Sequence, residues 1–121
     1  MAVIVAAKRS AVVPRGGAFA LLSLQDLATP VIGALLTAAG VEAGRVDEVV
    51  CANSLGAGGN PARIVALAAG LPERVAGLSI DRQCAGGLDA VLLARALVDS
   101  GAAEVVIAGG VERYSRRPLR Y

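Results

Sequence analysis

One hundred and twenty-one residues, 55% of them hydrophobic and 2% aromatic, suffice for one domain with a core of its own. The mean hydropathy of +0.63 is high, yet no apolar run reaches the roughly 18 residues of a membrane span, and no basic stretch precedes the apolar residues 1–7 as a secretory signal requires. A net charge of +2 without any nucleic-acid motif argues against nucleic-acid binding, and the two cysteines, Cys51 and Cys84, are expected to be reduced thiols of a cytoplasmic protein.

Residues 2–7 are apolar throughout, the pattern of a strand buried on both faces. Ser23 and Asp26 are spaced as N-cap and N3 of a helix. Leu24, Leu27, Val31, Leu35 and Ala38 continue at helical spacing until Gly40 supplies a stop. Pro30 falls inside this pattern and is expected to kink the helix or delay its start. Residues 47–52 form a second predicted strand. Gly56, Gly58 and Gly59 then lead to Asn60-Pro61, an N-cap followed by proline at N1, and a helix over 62–69 that Gly70 closes. This glycine loop lacks the Lys-Ser/Thr of a phosphate-binding loop and the spacing of a dinucleotide fingerprint.

A third strand is predicted over 75–80, a third helix over 85–99 and a fourth strand over 104–108. The order βαβαβαβ implies an α/β fold with a mainly parallel sheet and right-handed crossovers. The third helix is interrupted only by Asp89, Arg95 and Asp99. Such a helix is built to be buried on all sides, which this short chain cannot do alone. Charge is uneven: residues 1–112 hold eight basic and ten acidic groups, whereas 113–121 hold Arg113, Arg116, Arg117 and Arg120 and no acid. That basic arm suits phosphates, an acidic partner or plain solvation.

Cys84 stands where the third strand turns into the third helix. A thiol there meets unpaired backbone N–H groups and the positive end of the helix dipole, both of which favour a thiolate nucleophile. Gly86 and Gly87 beside it are expected to leave room for a substrate carbonyl. The plain alternative is a buried structural cysteine.

Gln83-Cys84-Ala85-Gly86-Gly87-Leu88-Asp89-Ala90 resembles the nucleophile motif of thiolases. Ala108-Gly109-Gly110-Val111-Glu112-Arg113-Tyr114-Ser115 resembles the later thiolase motif A-G-G-M-E-S-M-S, Ala7-Lys8-Arg9-Ser10 the family's opening, and Asn60-Pro61-Ala62-Arg63 its loop before the second helix. The sequence departs from the family at Val111, Arg113 and Tyr114, and at Gly86, where serine is common. Ketoacyl synthases share the fold and the cysteine, but the A-G-G-x-E-x-x-S match favours thiolases.

The resemblance implies an N-terminal thiolase half over 1–121, which completes a five-layer αβαβα fold only with a complementary C-terminal half. It implies Cys84 as the acyl-carrying nucleophile, with its backbone N–H as an oxyanion-hole donor. The histidine and second cysteine that serve as base and acid would come from the other half. Acyl-CoA is then a substrate rather than a cofactor, with no cofactor and no metal required. The resemblance further implies self-association through the strand at 77–82. A non-catalytic, thiolase-derived assembly subunit is the competing reading.

Overall fold

A computed structural model of the chain describes residues 1–56, 58–117 and Leu119. In chain order it contains α1 (Leu24–Ala39), a 3-10 turn (Ala43–Arg45), β1 (Glu48–Ala52), α2 (Pro61–Ala68), β2 (Ala76–Ile80), a second 3-10 turn (Gln83–Ala85), α3 (Gly86–Asp99), β3 (Val106–Gly110) and a third 3-10 turn (Tyr114–Arg116). The three strands form a parallel sheet in the order β2-β1-β3. Ala52 pairs with both Ile80 and Gly110, so all three strands end level.

The helix boundaries follow from their caps. The Ser23 hydroxyl accepts from the Asp26 N–H at 3.0 Å, and the Asp26 carboxylate accepts from the Ser23 N–H at 2.8 Å. This reciprocal box starts α1 at Leu24, so Pro30 does not delay it; the helix runs through that proline, whose missing N–H would have met Asp26. Gly40, at φ +64, closes α1, with Gly40 N–H to Thr37 O and Val41 N–H to Leu36 O satisfying the last carbonyls. The Asn60 side chain caps α2 through the Arg63 N–H, with Pro61 at the first helical position.

Alternation along β1 divides the core. Val49 and Cys51 join Val46, Ala62, Ala66, Leu71 and Val75 in a buried cluster between the sheet and α2, with Leu36 of α1 packed against it. Ala52 faces the other side, where Gly86 of α3 lies against it. A side chain at Gly86 would place its Cβ 2.8 Å from the Ala52 Cβ. Gly86 therefore serves close helix–sheet packing rather than substrate access, contrary to the expectation from sequence. Gly87 is exposed with open space around it.

The first predicted strand is absent. Residues 2–7 lie outside any strand of the sheet, and the Ala2 N–H is held instead by the Asp99 carboxylate at 2.6 Å. The segment that follows, residues 8–15, faces α1 and β3 across a cavity of about 490 Å³. Apolar composition favours strand, but a strand exists only beside a neighbour. The observed order is thus αβαβαβ. The third helix buries Gly86 and Ala90, while Leu88, Leu92 and Leu93 are exposed. An unpaired apolar face on this helix is what its sequence predicts. Among the described residues no helix is long and apolar enough to cross a membrane.

Candidate active site

In parallel sheets, reactive groups gather at the carboxyl ends of the strands, where the loops leave the sheet. Here three loops start from one level: 53–56 after β1, 81–83 after β2, and 111–113 after β3. Cys84 directly follows the second of these exits. The 3-10 turn Gln83–Ala85 precedes α3, so the cysteine stands just ahead of the helix rather than in its first α-helical turn. It is exposed.

The turn that carries it is bent sharply. Gln83 has φ +48, the only non-glycine residue with positive φ among those described. A side chain in that region costs on the order of 1–3 kcal/mol unless its surroundings enforce it. Here the Gln83 N–H donates to the Asp81 carboxylate at 2.9 Å, and the Ser54 hydroxyl donates to the same oxygen at 2.6 Å. The Arg82 guanidinium meets the Asp89 carboxylate at 3.1 Å, clamping the two sides of the cysteine turn.

Glu112 ties the first and third exits together. Its carboxylate accepts from the Ser54 N–H, from the Leu55 N–H at 3.3 Å and from the Asn53 amide at 3.1 Å. That amide also donates to the Val111 carbonyl at 2.9 Å, while its oxygen accepts from the Gly56 N–H at 3.0 Å. Sequence reasoning placed Glu112 in a motif but gave it no role. A carboxylate two residues past a strand end is a visible signal; the bonds it makes to another loop are not. Gln83 lay inside the quoted motif without a role of its own, and Ser54 carried no sequence signal for this site.

Cys51 is of another kind. It is 6% exposed in the middle of β1, and burial pushes its thiol up to about 11. Two cysteines close in composition thus have opposite surroundings. The described part of the arginine-rich arm turns back on the fold. Arg116 donates to the Leu21 carbonyl at 3.0 Å, and Arg15 and Arg117 lie over the Tyr114 ring at 5.4 and 4.3 Å. Arg120 lies outside the described residues. No group of three or more His, Cys, Asp or Glu is placed to hold a metal ion among the described residues.

A level parallel sheet flanked by helices, with an exposed cysteine at a strand-to-helix turn, defines an α/β domain. The chain belongs to the thiolase family, matching its N-terminal domain over residues 2–121. It is similar to the acetyl-CoA acetyltransferase of Cupriavidus necator, at 44% identity over 118 residues, covering 96% of this chain and 30% of that enzyme. The crystal structure of the Bacillus anthracis acetyl-CoA acetyltransferase superposes with a TM-score of 0.94 at 40% identity, over 98% of this chain and 31% of that one. The Acat5 thiolase from Ascaris suum, solved with coenzyme A, superposes with a TM-score of 0.92 at 23% identity, a likeness of fold over 97% of this chain and 31% of that one. The chain thus spans about a third of the length of these relatives.

Proposed function

We propose that this chain is the nucleophile-bearing part of a thiolase that transfers acyl groups between acyl-CoA thioesters. The observation that carries the proposal is the exposed Cys84 at the strand-to-helix turn, in a chain of this family. The Cys84 thiolate adds to the thioester carbonyl. The carbon–sulfur bond to CoA then breaks, CoA leaves and takes up a proton, and the acyl group remains on Cys84. In condensation, a second acyl-CoA that has lost an α-proton attacks the acyl-enzyme and frees Cys84. In the reverse direction, Cys84 attacks the 3-keto carbon, the bond between carbons 2 and 3 breaks, the departing acyl-CoA carbanion takes up a proton and leaves, and the acyl group on Cys84 then passes to the thiol of CoA.

The Cys84 backbone N–H is the proposed donor to the oxyanion. The chain contains no histidine, and Cys51 is buried and held protonated, so the base and acid for these proton transfers come from a complementary C-terminal half. CoA acts as substrate, with no separate cofactor. Among the described residues no strand pairs with the outer edge of β2, which suits pairing with a second copy through residues 77–82.

The missing histidine also favours a second reading, a thiolase-derived subunit that assembles without performing chemistry. Incubating the native assembly with labelled acetyl-CoA and trapping at low pH separates the two. The proposal expects one acetyl group on tryptic peptide 83–95, lost in Cys84→Ala. An unlabelled peptide under turnover conditions would leave the assembly role standing.

A further inference from the structure

We infer that Glu112 is a positioning residue for Cys84, acting through the loop after β1. The inference rests on the reading of Cys84 as the nucleophile and adds the residue that holds its turn in place. Glu112 acts from the loop after β3, on the far side of β1 from the cysteine turn. Its carboxylate gathers the Ser54 N–H, the Leu55 N–H and the Asn53 side-chain amide, which fixes the course of residues 53–55. Ser54 passes this order on: its hydroxyl donates to Asp81 at 2.6 Å and lies 3.5 Å from the Gln83 carbonyl. Asp81 in turn accepts the Gln83 N–H at 2.9 Å.

Gln83 is the residue that needs such support. It is a non-glycine at φ +48, directly before Cys84, and that backbone angle sets where the thiol points. The links run Glu112, Ser54, Asp81, Gln83; the first two are hydrogen bonds between loops from different strands, and the last closes the turn after β2 on itself. Because the three strands end level, these loops start at one height and their short side chains can reach one another. A carboxylate suits the first link because it accepts from several N–H donors at once and offers none of its own. An amide in its place would turn one acceptor into a donor facing those N–H groups.

The test measures the iodoacetamide alkylation rate of Cys84 in the native assembly, well below the melting temperature, for Glu112→Gln, Asp81→Asn and the double variant. Cys51 and the melting temperature serve as controls. Each single variant is expected to slow Cys84 about tenfold, and the double variant no more than the slower single, as coupled members of one network behave. A role confined to general stability would lower the melting temperature and leave the Cys84 rate in place. Should Glu112→Gln fail to fold, Ser54→Ala, which removes one hydroxyl from the same path, carries the test. Variants within about twofold of the unmodified rate, or single effects that multiply in the double variant, overturn the positioning role. An unmodified protein in which Cys84 reacts no faster than Cys51 would instead sink the nucleophile reading.

Discussion

Two thiols in one small domain differ because of where the chain puts them. Cys51 lies mid-strand among Val49, Ala62 and Ala66, and Cys84 at the open end of the sheet. Iodoacetamide at neutral pH is therefore expected to modify Cys84 well before Cys51, read by peptide mass; equal rates in the folded assembly would contradict the assignment. Cys51 also makes a prediction about alkaline stability. Its folded value, about 11, lies above that of an unfolded thiol. The folded state thus holds this proton more tightly, and the associated stability, on the order of 3 kcal/mol, is present below about pH 8.5 and is lost as the pH rises towards 11. Cys51→Ala should flatten that alkaline decline in denaturant midpoints between pH 8 and 11, at the expense of some stability at neutral pH. A decline of the same steepness in the variant would place its origin elsewhere.

At the level of elements, carboxylates recur as backbone anchors. Asp26 caps α1. Asp47, at the amino end of β1, accepts from the Glu104 and Val105 N–H groups at 2.8 and 3.0 Å and so fixes the approach to β3. Asp99 holds Ala2. Hydrogen bonds from backbone N–H groups hold all three carboxyls below the usual carboxylate value, led by those from Ser23, Val105 and Ala2 respectively. Their contribution is present above the unfolded carboxylate value and fades as the pH falls below about 4. Ser23→Ala should cost about 1 kcal/mol, measured as a lowered urea midpoint, because it removes the hydroxyl that accepts the Asp26 N–H at the start of α1. An unchanged midpoint would show that the cap adds nothing to α1.

Caps, glycine stops and apolar runs were legible in the sequence because each acts within a few residues of itself. Ser23, Gly40, Asn60 and Gly70 mark the ends of α1 and α2 to within one residue of where the structure has them. The placement of Cys84 at a strand-to-helix turn was legible for the same reason. Residues 2–7 were misjudged because an apolar run says nothing about whether a neighbouring strand exists. Gly86 was misjudged because its requirement comes from Ala52, thirty-four positions earlier. The Glu112 network escaped notice on similar grounds, since the bonds from Glu112 to residues 53–55 and from Ser54 to Asp81 join segments distant in sequence.

For the molecule as a whole, the sheet has three strands and two outer edges, and α3 turns Leu88 and Leu92, one helical turn apart, away from the sheet. Leu88 is 67% exposed and Leu92 50%. Apolar side chains on a helix opposite its sheet mark a surface made to be covered. The isolated chain is expected to associate as its concentration rises, and Leu88→Lys with Leu92→Lys to reduce that association in analytical ultracentrifugation. In a thiolase assembled with its complementary half, the same two changes should weaken assembly. A monodisperse monomer at all concentrations, unaffected by either substitution, would contradict this.

Gly77 gives the level strand ends a further meaning. A Cβ at Gly77 would lie 2.7 Å from the Arg63 Cα, so only glycine passes under the start of α2 at that height. Two residues on, the Ser79 hydroxyl accepts the Ala62 N–H at 2.9 Å. Together they act as a key that fits β2 into one register against its neighbour. A slip of one residue would turn Asp81 to the opposite face and carry Cys84 about 3.3 Å along the strand direction. The position of the Cys84 sulfur is therefore encoded seven residues upstream, in a glycine that has no chemistry of its own.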